Sequence, residues 1–235
     1  MGTIINVVAI IIASILGLFL KKRLNEDLQK AILFALGIGL FVLSIGWFLK
    51  DFLIIDQETL STHKELLVIV SLVLGTVIGT FLKLDQRLNQ LMINIETKYS
   101  LPPLAKGFVT ATIIFCVGAM AILGSIQDGM FQNYDILVIK SVLDFITAMM
   151  LASIFGIGVI FSAISVLIYQ GSLTLLASQL DTFLTTDMIV GMSMVGNILL
   201  VAIAIDFMAL QKIKVLNMLP AIFIPLIYEV IISLF

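Results

Sequence analysis

Charge is scarce in this sequence. Only 12% of its 235 residues are charged, whereas 61% are hydrophobic and the mean hydropathy is +1.21. A water-soluble domain of this length cannot hide that much apolar surface. The net charge of −2 gives no electrostatic footing for nucleic acid. There is one cysteine, Cys116, so no internal disulfide can form. There is one histidine, His63, in a polar stretch without partner groups, and it reads as a solvated loop residue. Nucleotide-binding GxxxxGK[ST], zinc-binding HExxH and nucleophile-elbow GxSxG patterns are all missing. The expectation is therefore no ATP-driven motor, no intramembrane hydrolase, no enzyme of another kind and no cofactor.

What the chain has is long apolar runs. A helix needs about 20 mostly apolar residues to cross the hydrocarbon core. Runs fitting that requirement occupy residues 3–20, 31–49, 65–82, 107–126, 136–154, 159–177, 188–210 and 215–235. The expected fold is all-α, a polytopic transmembrane helix bundle of about eight spans, or seven if residues 136–177 crossed only once. Residues 1–235 would form a single integral membrane domain. The first run has its positive cluster behind it, at Lys21, Lys22 and Arg23, so it reads as a retained span and not as a secretory signal. Residues 84–100 carry Leu84, Leu88, Leu91 and Ile95 at helical spacing, which predicts an amphipathic cytoplasmic surface helix ended by Pro102 and Pro103. Gly156 and Gly158 predict a tight turn between two spans.

Lysine and arginine set the expected orientation. Eight spans place Lys21, Lys22, Arg23, Lys30, Lys83, Arg87, Lys98, Lys106, Lys212 and Lys214 on one side, with only Lys50 and Lys64 opposite. The basic side is expected to be cytoplasmic, with both termini outside. A weak internal echo reads either as a duplicated two-helix unit or as the convergence of membrane helices that end on the cytoplasmic side. Gly17-Leu18-Phe19-Leu20-Lys21 resembles Gly79-Thr80-Phe81-Leu82-Lys83, and each is followed by Arg-Leu-Asn, at Arg23–Asn25 and Arg87–Asn89.

Polar groups inside the runs are the candidate functional residues. A charge at the bilayer centre costs about 2.5–3.5 kcal/mol on insertion scales, so it should face protein or water. Asp144 lies about 12 Å into its span at about 1.5 Å per residue. Lys140 precedes it by four positions and shares its helix face. The pair reads either as a proton- or cation-responsive carboxylate balanced by lysine, or as a self-neutralising structural ion pair. In residues 107–126 the small residues Gly118, Ala119, Ala121, Gly124 and Ser125 permit close helix contact or border a permeation path, with Asp128 beyond its outer end. Cys116 and Met120, one turn apart, are too few ligands for a soft metal site. Gln170 brings donors and an acceptor that hydrocarbon cannot satisfy. Asn6, Ser193 and Asn197 are further polar groups within the spans. Asp206 reads as an interfacial anchor, Glu229 lies toward an outer end, and Gly75 with Gly79 form a GxxxG packing pair.

Several of these segments resemble one family closely. Gly2-Thr3-Ile4-Ile5-Asn6, Gly17 to Lys21, Phe115 to Ser125, Lys140 with Asp144, Phe161-Ser162-Ala163, Tyr169-Gln170-Gly171 with Leu173-Thr174, and Lys212 to Pro220 carry the likeness. Together they resemble the YdfK/YqgA-like family of bacterial membrane proteins, a domain-of-unknown-function family, over nearly the whole chain. The resemblance implies a prokaryotic inner-membrane protein and brings no activity with it. Asp206 and Glu229 fall outside the family pattern. Two roles remain. One is a secondary transporter or channel for a small solute or ion, using Asp144, Lys140, Gln170, Cys116, Ser125 and Asp128. The other is a non-transporting membrane partner or regulator acting through residues 84–100. The lipid bilayer is the expected surrounding, and the GxxxG and small-residue faces permit a homo-oligomer.

Overall fold

The computed structural model describes residues 1–21, 25–56, 59–100, 102–116, 119–177, 179 and 184–232. The chain is almost entirely helical, as its apolar runs require. In order, the elements are α1 (Gly2–Lys21), α2 (Glu26–Phe52), β1 (Leu53–Asp56), β2 (Thr59–Thr62), α3 (Glu65–Phe81), α4 (Leu84–Tyr99), α5 (Ala105–Cys116), α6 (Ala119–Phe131), α7 (Asp135–Phe155), α8 (Gly158–Leu175), α9 (Thr186–Phe207), a 3-10 segment (Val215–Phe223) and α10 (Ile224–Ile232). Among the described residues six helices are long and apolar enough to cross a membrane, and up to eight spans result if each of two bent pairs counts as one.

Burial is inverted relative to a soluble protein. Asn6 and Gln170 are fully buried, whereas Leu66 is 74% exposed and Phe81 and Leu175 are each 84% exposed. Leucines and phenylalanines turned outward around buried amides are at their lowest free energy only if the surrounding medium is hydrocarbon.

The chain divides into two compact units. The first comprises Met1–Leu33 with Leu88–Phe183, and the second Phe34–Arg87 with Leu184–Phe235. In the first, α1 lies along α7, with α8 beside both. Gly2 abuts Leu137, and Gly17 abuts Met149 and Ala152, so α1 and α7 run parallel. That matches the directions expected of a first and a fifth span. In the second unit α3 packs against the 3-10 segment in the opposite sense, Gly75 on Ala221 and Gly79 on Asn217. Gly17 and Gly79, the paired positions of the internal echo, thus do the same job in different units. Each lets a neighbouring backbone carbonyl, of Met149 or of Asn217, approach where a side chain would collide. The GxxxG pair is used within the chain, so its glycines are not an open dimerisation face.

Local chemistry explains the helix ends. Asn25 accepts a hydrogen bond from the Leu28 N–H at 2.8 Å, and Thr185 accepts one from Met188 at 3.2 Å. Both are N-caps. Glu96 near the end of α4 accepts from the backbone N–H groups of Leu104 and Ala105 at the start of α5, a carboxylate on the positive end of a helix. The turn at residues 155–158 forms as expected. Gly156 has φ +82°, a conformation that costs other residues energy, and Gly158 abuts the Leu104 backbone.

Four expectations need correction. The run 107–126 is not one straight helix, because α5 and α6 are bent by 62° at a break. Residues 117 and 118 lie outside the described residues, and the one-turn spacing of Cys116 and Met120 is not delivered by a continuous helix. The polar stretch after residue 50 is not a plain loop. It continues α2 to Phe52 and then forms an antiparallel hairpin in which Leu53 pairs with Thr62 and Ile54 with Ser61. His63 there is half-buried, with its ring Nδ1 3.3 Å from the Phe52 carbonyl oxygen. In the last span Pro220 breaks the α-helix, lying in a 3-10 stretch that becomes α-helical at Ile224. Proline removes one backbone donor, and 3-10 bonding tolerates that loss.

These contacts separate two kinds of glycine. Gly79→Val should destabilise the protein by about 1–3 kcal/mol through overpacking. Gly39→Val should be near neutral, because nothing lies within 4 Å of a Cβ built there. Thermal unfolding of both variants in one detergent checks the contrast.

Candidate functional site

The first unit gathers its buried polar side chains along the contact of α1 with α7 and α8. Asp144 is the tenth residue of the 21-residue α7, close to its middle. Lys140, one turn earlier, places its Nζ on Asp144 Oδ2. Both residues are almost fully buried, at 5% and 6% exposure. The ammonium also lies 5.9 Å from the centre of the Phe115 ring, within cation–π range. From α1, Asn6 Nδ2 donates to Asp144 Oδ2 at 2.9 Å and to Gln170 Oε1 of α8 at 3.3 Å. Four side chains from three helices form one connected network.

A second pair extends it. Thr3 and Thr174 bring their hydroxyls within 3.3 Å, one helical turn from Asn6 and Gln170 on the same two helices. Nearer the start of α1, Asp128 of α6 accepts from the Gly2 N–H at 2.9 Å and pairs with the Met1 amine at 2.9 Å. Polar groups thus step from the start of α1 to the middle of α7. Beyond Asn6, the buried face of α1 continues with Ile10, Ala13 and Ser14, all fully buried, and the Ser14 Oγ finds no partner.

Asp144, Lys140 and Gln170, picked out in the sequence, are therefore brought together. Asp128 lies at the end of the polar series and not in the network. Cys116 is half-buried at the end of α5, next to Phe115 and within electrostatic reach of Lys140 and Asp144. Ser125 is fully buried one turn before Asp128, and its Oγ finds no partner. Asn6 was visible as a polar residue in the first span, but its central place was not. Its signal is weak in sequence, because a lone asparagine near a helix start also suits the membrane interface.

The second unit has polar contacts of another kind. Lys64 pairs with Glu229 of α10 at 2.7 Å and with Asp187 of α9 at 2.9 Å. Asp51 accepts from Ser193 at 2.6 Å, and Asn197 reaches the same hydroxyl at 3.4 Å. Glu229 thus has a structural partner. Among the described residues no group of three histidine, cysteine or acidic side chains is placed to hold a metal ion.

Sequence comparison places these residues in a family. The family model described as a protein of unknown function, DUF554, matches residues 1–230. The chain belongs to the DUF554 family. It is 34% identical to the uncharacterized membrane protein YdfK of Bacillus subtilis (strain 168) over 224 residues, covering 95% of this chain and 93% of that protein. It is 28% identical to the uncharacterized protein YqgA of Escherichia coli (strain K12) over 233 residues, covering 94% of this chain and 92% of that one. No solved structure matches. This DUF554 protein is a membrane protein with a buried charged network in its first unit.

The network makes an energetic prediction. Removing one member of a buried pair strands the other charge, at about 3–5 kcal/mol, whereas replacing both with apolar groups is often neutral. Lys140→Met and Asp144→Leu should each lower unfolding stability in detergent substantially. The double variant should recover most of the loss. A loss in the double variant equal to the sum of the two single losses would show that the two side chains are not energetically coupled.

Proposed function

We propose that this protein passes a small solute or ion across the membrane, with the pathway running through the first unit and Asp144 as its coupling carboxylate. The observation carrying the reading is the polar series from Asp128 through Thr3 and Thr174 to Asn6, Gln170, Asp144 and Lys140. Ionisable groups at that depth are costly, and a membrane protein retains them chiefly where they meet solute, water or protons. Beyond Asn6 the buried side chains of Ile10 and Ala13 leave only the Ser14 hydroxyl on that face and act as a closed gate in this conformation. The break between α5 and α6 adds a discontinuous helix, a feature that transporters place beside their binding sites. Ser125 and Cys116, on either side of that break, border the pathway in this reading.

The protein acts as a secondary transporter or channel and not as an enzyme, in the inner membrane, with both termini outside. The alternative role, a regulator contacting partners through α4, would use exposed Leu91, Ile93 and Ile95. Those residues equally suit a helix lying in the lipid interface.

Proteoliposomes test the reading. A panel of sodium, methylammonium, acetate, glycine and acetamide should contain at least one member whose flux exceeds that of protein-free vesicles. Asp144→Asn should reduce that flux at least tenfold. Wild-type flux in Asp144→Asn would remove Asp144 from the pathway, and no flux for any member would count against transport.

A further inference from the structure

The amides beside the ion pair are not free to turn. An ionised carboxylate only accepts hydrogen bonds, so Asn6 must present its NH2 group to Asp144. The second hydrogen of that NH2 is directed to Gln170 Oε1. Reversing Gln170 alone would set two NH2 groups against each other. Reversing Asn6 would set a carbonyl oxygen against the carboxylate. The orientation of both amides is therefore fixed by Asp144.

This fixed arrangement leaves one acceptor and one donor unused. Asn6 Oδ1 and Gln170 Nε2 are both buried without a hydrogen-bond partner, on residues with 0% exposure. A buried polar atom left unpaired costs about 1–3 kcal/mol, and native proteins leave few of them. Two such atoms on adjoining side chains, of opposite hydrogen-bonding character, describe what would complete them. The partner must donate to the asparagine oxygen and accept from the glutamine nitrogen.

Charge narrows the class further. Lys140 and Asp144 cancel, and neither Asn6 nor Gln170 adds charge, so the network is neutral as a whole. A solute with a net charge would leave an uncompensated charge among residues that are at most 6% exposed, where ions are strongly disfavoured. A neutral solute meets no such penalty. A zwitterion meets none either, because its ammonium can face Asp144 and Asn6 Oδ1 while its carboxylate faces Lys140 and Gln170 Nε2.

We propose that Asn6 Oδ1 and Gln170 Nε2, held beside the Lys140–Asp144 pair, recognise a small solute of no net charge that carries a hydrogen-bond donor and acceptor close together. The proposal rests on the reading of the first unit as a permeation pathway and supplies the solute class that reading leaves open. Uncharged amides and small amino-acid zwitterions share this chemistry. Gln170 acts as a binding residue, and Asp144 additionally positions it through Asn6.

The test has two parts, both on the full chain. In the first, purified protein is heated with acetamide, glycine, methylammonium or acetate. Acetamide, glycine or both should raise the melting temperature, and the two singly charged compounds should not. Gln170→Leu should abolish the shift, and Gln170→Glu, which keeps the size but replaces the donor with an acceptor, should weaken it at least tenfold in half-saturating concentration. In the second, flux in proteoliposomes should favour the same net-neutral compounds. A response to acetamide alone assigns an uncharged amide, and a response to glycine alone assigns a zwitterion. Asp144-dependent flux of sodium, methylammonium or acetate, with none for the net-neutral pair, would overturn this proposal and leave the transport reading standing. An absence of all flux, with no thermal shift, would overturn both. If Gln170→Leu does not fold, the wild-type ranking of the four compounds decides alone.

Discussion

A carboxylate near the middle of a membrane-length helix has to be compensated, and the first unit is organised around doing so for Asp144. Lys140 supplies the counter-charge from one turn away on the same helix. That alone would leave carboxylate lone pairs facing an apolar interior. Asn6 answers one of them, which requires α1 to lie close along α7. Close contact in turn requires residues without bulk, and Gly2 and Gly17 provide them at the two ends of α1. Electrostatics, helix packing and glycine placement are therefore consequences of one buried acid.

The same constraint gives the network its chemical character. Because the carboxylate fixes Asn6 and Asn6 fixes Gln170, the unpaired amide atoms are presented in a defined arrangement. Structural ion pairs in membrane proteins can neutralise themselves with no further purpose. Here the surrounding amides exceed what neutralisation needs, and they are left incompletely bonded. The Thr3–Thr174 contact continues the polar series toward the start of α1. On the other side, buried Ile10 and Ala13 leave Ser14 as the next polar group on that face of α1.

Much of this architecture was legible in the sequence because the bilayer leaves few choices. Apolar runs of span length must be helices, and the helices lie where the hydropathy placed them. The pairing of Lys140 with Asp144 was readable from their four-residue spacing, and the turn at Gly156 from its glycines. Gln170 was identified by the cost of an amide in hydrocarbon. What the sequence did not carry was tertiary choice. Nothing in it distinguishes Asn6 from an asparagine at the lipid interface, since its role depends on which helix α1 lies beside. The bend between α5 and α6 was hidden because alanine and glycine suit straight helices and tight contacts alike. The hairpin after α2 was hidden because a short polar stretch with two threonines has several low-cost conformations. The 3-10 form of Val215–Phe223 reflects Pro220 and the close approach of Gly75 and Gly79, a contact between segments more than a hundred residues apart.

The central claim is that Gln170, buried in the closed state, meets an aqueous compartment in some state of the protein. Cysteine accessibility measures this directly. Gln170→Cys in a Cys116→Ser background is treated with a membrane-impermeant thiol reagent in right-side-out and inverted vesicles, with the exposed position of Gln132→Cys as a positive control. The account predicts labelling of the position-170 thiol from at least one side, slower than the control and altered by glycine or acetamide. A thiol that stays inert from both sides under every condition, yet reacts fully once the protein is denatured, would mean that the network is a sealed structural core.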